Sequence, residues 1–165
     1  MKDLVRQLQE PFPADEVEWR VQRSGIASNG PWAMVLAYVA NRAIQNRLDD
    51  LFGVFGWRNE FKPAPEGGIL CGISIQDSNG EWITKWDGAE QTVVEAVKGG
   101  LSSSMKRAAV QWGIGRYLYD LPVTFAHCSS AKAPAFKNKA KAPDGSWFYW
   151  QTPQLPEWAL PDKGA

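Results

Sequence analysis

The sequence predicts an α+β domain, and three patterns carry that prediction. Residues 57–86 hold three short segments whose side chains alternate with a period of two. Residues 94–112 place apolar side chains at steps of three or four, as a helix with one buried stripe does. Before both, residues 32–52 form a long Ala-rich run with no internal Gly or Pro. At 165 residues the chain can bury one proper core and is short for two. A single domain over 1–125, followed by a basic loop and aromatic tail over 126–165, is therefore expected.

In chain order, residues 2–10 read as a short amphipathic helix with Leu4, Val5 and Leu8 on one side, stopped by Pro11 and Pro13. Val17 to Arg23 alternates Val17, Trp19 and Val21 against polar neighbours, the mark of a half-buried strand. Ser28-Asn29-Gly30-Pro31 is a turn signal, and Trp32 to Phe52 then predicts a helix of about six turns ending at Gly53. Trp57–Lys62, Ile69–Gln76 and Glu81–Trp86 predict an antiparallel meander, with Asp77-Ser78-Asn79-Gly80 as the hairpin turn between the last two strands. Cys71, Ile73 and Ile75 share one face of their strand, and Trp82, Thr84 and Trp86 share one face of the next.

Asp87-Gly88 closes the meander, and Thr92 or a neighbour caps the following helix. In that helix Val94, Val97, Leu101, Met105, Ala108 and Trp112 form the stripe, leaving Ser102, Ser103, Lys106 and Arg107 largely on the other side. After Pro122 regularity fades. Residues 129–145 hold four lysines with Ala and Pro spacers and no acid before Asp144, the composition of a mobile basic loop. Trp147 to Trp150 has the density to dock back as a strand, and the last residues read as an extended tail.

The formal net charge of zero conceals an asymmetry. Residues 1–97 carry 9 Lys/Arg against 14 Asp/Glu, and residues 98–165 carry 9 against 4. The second part suits a nucleic-acid surface; attraction between opposite halves of neighbouring subunits is the other reading. Nine tryptophans supply core and interface area, and exposed ones serve as platforms for bases. Two cysteines without a CxxC, and His127 as the sole histidine, leave almost nothing from which to build a zinc site or disulfide framework. His127 and Cys128 are adjacent, which rarely lets a base and a nucleophile converge on one substrate atom. No metal or other cofactor is expected. The charged start and the lack of any run of about 18 apolar residues predict a soluble protein, cytoplasmic or nucleoid-associated, without a membrane partner.

The polar face of the 94–112 helix has two readings. It is either a solvated surface or a phosphate-contacting one, in which hydroxyls donate hydrogen bonds and the Lys106-Arg107 pair neutralises charge without reading bases.

Three stretches carry a resemblance: LDDLFGVFGW (48–57), GEWITKWDGAE (80–90) and KGGLSSSMKRAAVQWGIGRYLYDLP (98–122). Their order and spacing resemble the Rad52/Rad22 family of single-strand annealing proteins, including phage and prophage members, over about Trp19 to Pro122. The resemblance implies a curved antiparallel meander packed on two long helices, with subunits side by side in a ring or open arc. It also implies that single-stranded DNA is held by its backbone in a basic groove, so that complementary strands pair without ATP in homologous recombination and double-strand-break repair. Contacts that spare the bases are what annealing requires, because a reader of base edges would block the pairing surface.

Carried over residue by residue, the family's lysine–arginine pair matches Lys106 and Arg107, an upstream lysine matches Lys98, and an arginine of the first long helix matches Arg42 with a slip of one position. Eukaryotic members carry a further arginine where this chain has Val110. Arg116, Lys85 and Arg58 are the candidates to replace that charge. Larger members continue into a region that recruits a recombinase and a single-strand-binding protein. This chain is too short to hold such a region, so annealing is expected without assuming recombinase loading, with a single-strand-binding protein a candidate partner.

Three other functions compete. A plain single-strand-binding module explains the tryptophans and the basic half, but not an Ala-rich helix ahead of a three-stranded meander. A carbohydrate-binding or assembly protein would also use aromatic platforms. A DNA-cutting enzyme would need paired carboxylates, and Asp77, Glu81, Asp87 and Glu90 have no two-metal arrangement in sequence. The expectation is therefore a binding protein rather than an enzyme.

Overall fold

The computed structural model describes residues 2–90 and 96–163, without the side chains of Ala96 and Val97. The expected cap at Thr92, the stripe position Val94 and the side chain of Val97 lie outside what is described. The chain forms two compact units, one of Met1–Phe12 with Val39–Tyr117 and one of Pro13–Tyr38 with Leu118–Ala165.

In the first unit, helix α1 (Lys2–Gln9) buries Leu8. Helix α2 (Asn41–Phe52) buries Ala43, Ile44 and Leu48. Arg47 of α2 donates from Nη1 to the carbonyls of Gln7, Leu8 and Glu10 at 3.2, 3.3 and 2.9 Å. These carbonyls are orphaned at the end of α1, so one guanidinium serves as its C-terminal cap. The same group lies 3.9 Å over the Phe12 ring. Arg47 is thus a structural residue.

The end of α2 explains the FGxxGW pattern. Gly53 takes a φ of 73° and donates to the Asp49 carbonyl at 2.8 Å. A Cβ at Gly56 would lie 2.0 Å from the Phe52 carbonyl oxygen, so only glycine lets the chain double back there. The Gly56 carbonyl accepts the Gln76 N–H, and the Trp57 indole donates to Asp49 Oδ1 at 2.6 Å. The motif is a joint that sets the first meander strand against the helix.

The meander has the predicted turn and pairing. Strands β3 (Trp57–Pro63), β4 (Ile69–Gln76) and β5 (Trp82–Ala89) run antiparallel in the order β3-β4-β5. Asp77 Oδ1 accepts the N–H groups of Asn79 and Glu81 and so shapes the hairpin turn. Cys71, Ile73 and Ile75 are buried as expected, and burial pushes the Cys71 thiol up to about 12. Helix α3 (Ala96–Gln111) packs on β4 and β5. The Trp112 indole, just past its end, donates to the Ile73 carbonyl at 2.9 Å, and Asn59 Nδ2 approaches Met105 Sδ at 3.6 Å.

The second unit corrects two expectations. The run from Trp32 to Phe52 is not one helix. A two-residue turn at 28–29 joins strand β1 (Val17–Ala27) to strand β2 (Gly30–Val39), and only Asn41–Phe52 is helical. The helices α2 and α3 therefore span 12 and 16 residues, the first about half the predicted length. Both faces of β2 are apolar: Ala33 and Val35 are buried, while Trp32 and Leu36 are exposed. With no polar residue to mark the second face, a period of two does not show in the sequence, and tertiary pairing with β1 decides.

Nor is 129–145 one irregular loop. It holds an Ala133–Phe136 bridge and strand β8 (Asn138–Lys141). Strand β6 (Thr124–Ala126) extends the β1-β2 sheet, and β7 (Cys128–Ser129), β9 (Trp147–Trp150) and β8 form a third antiparallel sheet in that order. Trp147 to Trp150 is thus the docking strand foreseen. Ala33, Val35, Ala142, Phe148 and Trp150 make this unit's core, with Trp19 and Val21 packed against it.

Candidate nucleic-acid interface

Helix α3 keeps its stripe toward the sheet. Met105, Ala108 and Ala109 are buried, and the hydroxyl of buried Ser104 donates back to the Leu101 carbonyl at 3.0 Å. On a helix, consecutive residues diverge by about 100°, so Lys106 and Arg107 leave the axis in different directions. Lys106 is half-buried and Arg107 exposed. Arg107 turns toward β5, where its Nε lies 3.3 Å from Asp87 Oδ1.

Asp87 is held from three sides. It accepts the Gln111 amide at 3.0 Å, the Gly88 N–H at 2.7 Å and Arg107. Burial raises the carboxyl's pKa, but these donors outweigh burial and the net shift is downward.

Around Gln111 two more predicted cations converge. Lys85 Nζ donates to the Gln111 carbonyl at 3.3 Å and lies 4.8 Å from the centre of the Trp112 ring. Arg116 donates from Nε and Nη2 to the Val110 carbonyl at 3.1 and 2.8 Å, and from Nη2 to the Gln111 carbonyl at 3.1 Å. The negative end of the helix dipole and its unsatisfied carbonyls favour cations there. Gln111 thus links the cations at the seam between the end of α3 and β5: its carbonyl accepts Lys85 and Arg116, and its side chain shares Asp87 with Arg107. Such donors suit phosphate oxygens and carry no base specificity. The convergence of Lys85 and Arg116 on one carbonyl has no local sequence signal, since 31 positions separate them.

The other predicted residues lie apart from this cluster. Lys98 is exposed, eight residues before Lys106 and so about 12 Å earlier along the axis. Arg42 is exposed on the first turn of α2.

Arg58 lies on the opposite face of the meander. It pairs with Ser74 in register and sits 4.5 Å over the Trp82 ring, its Nε 4.0 Å from Glu60. The same face carries Lys62 at 4.6 Å over Trp86, and Ser74 and Thr84 hydroxyls 2.7 Å apart. A Cβ at Gly72 would lie 2.7 Å from the Trp86 indole, so that glycine lets the ring lie down on the sheet. The Lys62–Trp86 pair went unrecognised in sequence, although alternation along β3 puts Lys62 on the Arg58 face and the hairpin turn sets the register that pairs Trp86 with Gly72.

A helix-backed antiparallel meander with a cationic seam is the architecture of this protein's first unit. The chain belongs to the Rad52/22 family: the family model described as Rad52/22 family double-strand break repair protein matches residues 1–136. Two relatives are each named single-stranded DNA-binding protein DdrA. That of Deinococcus radiodurans is 33% identical over 168 residues, covering 98% of this chain and 70% of the relative. That of Deinococcus deserti is 32% identical over 170 residues, covering 98% and 72%. Among the described residues, no helix is long and apolar enough to cross a membrane.

Proposed function

We propose that this protein binds single-stranded DNA by its phosphates and pairs complementary strands without ATP, in homologous recombination and double-strand-break repair. The observation that carries this reading is the convergence of Lys85, Arg107 and Arg116 at the end of α3, in a chain of the Rad52/22 family. The names of the two Deinococcus relatives support the ligand. Lys106, Lys98 and Arg42 add cations beyond the seam, and Arg58 adds one on the opposite meander face. Subunits set side by side would repeat these cations along a bound strand, leaving bases free to pair.

Lys106→Ala with Arg107→Ala tests the site. Single-strand affinity should fall steeply while oligomer size stays the same. Loss of the exposed Arg107–Asp87 pair itself costs less than about 1 kcal/mol, because Gln111 and Gly88 still hold the carboxylate. Unaltered binding would overturn the assignment. A fluorescence-quenching assay on complementary strands tests the activity: annealing without ATP should be accelerated. Binding without acceleration would favour a plain single-strand-binding protein, the reading at which the relatives' names stop.

A further inference from the structure

The C-terminal sheet has two unlike faces. Ala140 pairs with Phe148 and Asn138 with Trp150, and the rings of Phe148 and Trp150 lie in the core. The alternate residues point the other way: Lys139 pairs with Tyr149, and Lys141 with Trp147. Trp147 is 53% exposed, with Lys139 Nζ 4.3 Å and Lys141 Nζ 5.7 Å from its ring centre. Beside them the Ala133–Phe136 bridge brings in Lys132, Phe136 and Lys137, which with Pro134, Lys139 and Tyr149 line an open groove of about 560 Å³. No acidic residue occurs from 129 to 143. Asp144, in the hairpin turn, is engaged by the Ser146 N–H at 2.8 Å. Asn138 Nδ2 ties the sheet's inner side to the Trp150 carbonyl and the Thr152 hydroxyl.

We infer that this outward face of the C-terminal sheet is a second contact surface for single-stranded nucleic acid, separate from the α3 seam. Four lysines without a carboxylate among them complement a polyanion. The rings beside them narrow its class. An acidic peptide would leave the rings idle, and a duplex hides its base faces in the stack. A cation over an exposed ring is a weaker contact than a stacked base. Phosphates that draw Lys139 and Lys141 off Trp147 therefore open its face to a base. Lys137, Lys139, Lys141, Trp147 and Tyr149 of this surface lie beyond residue 136, where the family match ends.

The test uses the full chain, an oligo-dT probe and a range of salt concentrations. Lys137→Ala/Lys139→Ala/Lys141→Ala should weaken binding and reduce the slope of log affinity against log salt by about 2, the share of three phosphate contacts. Trp147→Leu should cost roughly tenfold in affinity and leave that slope intact. Photo-crosslinks from a 5-bromodeoxyuridine oligonucleotide should map to Trp147 or Tyr149, and should persist in Lys106→Ala/Arg107→Ala. That last arm separates failure at this face from failure of the α3 seam.

Unchanged affinity and slope in the triple variant would overturn the inference. So would a reduced slope with no effect of Trp147→Leu and no crosslink, which would make the face a general polyanion patch. Lys139→Gln/Lys141→Gln keeps the side-chain stems and carries the same test, with a slope change of about 1.4, if thermal melting shows the triple variant unfolded.

Discussion

Asp87 governs the seam at the scale of single residues, because it draws Arg107 against β5 and offsets part of the charge gathered there. Its carboxyl is shifted below its ordinary value of 3.8, with burial opposing the shift and the Gln111, Gly88 and Arg107 donors winning. The folded state therefore favours the ionised form. Its contribution to stability is complete above the ordinary carboxylate range and is lost as pH falls through 3.8 toward the depressed folded value. Wild type and Asp87→Asn should differ in thermal midpoint by a constant amount above about pH 5, and the difference should shrink below about pH 4. A gap that does not change with pH would mean that the ion pair is not what the carboxylate contributes. The sequence picked out Lys106 and Arg107 as neighbours. Their different surroundings are a matter of helix geometry, which turns Arg107 toward Asp87 of β5.

Between elements, the joint of α2 and β3 gives the firmest mutational expectation. Gly56→Ala places a methyl group against the Phe52 carbonyl, where backbone rather than a pliable side chain must yield. Such overpacking should cost about 2 kcal/mol or more, read as a lower urea midpoint with unchanged slope. A cost below about 0.5 kcal/mol would show that the turn relaxes freely. This joint was legible because glycine and tryptophan at fixed spacing are visible in one dimension. Strand β2 was not, since Trp32 to Val39 is apolar on both faces and runs on into the helical residues from Asn41. Strand β8 was hidden for the opposite reason. Its alternation of Lys139 and Lys141 with Ala140 and Ala142 has a period of two, but small alanines make a faint apolar face beside lysines.

For the whole molecule, the predictions concern charge and assembly. Binding to oligo-dT should weaken steeply with salt, because each phosphate neutralised releases counterions whose entropy gain falls as salt rises. A flat dependence would favour sugar recognition or a purely structural role over the proposed function. Negative-stain images with and without oligonucleotide should show rings or arcs. A uniform population of monomers would remove the repeated groove on which annealing without base reading depends. The charge asymmetry that pointed to the second part of the sequence is distributed between both units. Lys98, Lys106, Arg107 and Arg116 belong to the first unit and the lysines of 132–141 to the second.

The sequence by itself determined the α+β class, the meander with its turn, the helix stripe, the α2–β3 joint and membership of the family. Each is written in local periodicity, in turn chemistry or in motif order. Only the tertiary structure decided that Trp32 to Val39 is a strand, that Lys85 and Arg116 meet at the Gln111 carbonyl, that Arg58 faces away from them, and that Lys139 and Lys141 lie on a strand of a sheet. The physical reason is common to all four. Each depends on which strand or helix supplies the neighbours, across a short turn for β2 with β1 and β8 with β9 or from farther along the chain for Lys85 and Arg58, and local pattern does not name that partner.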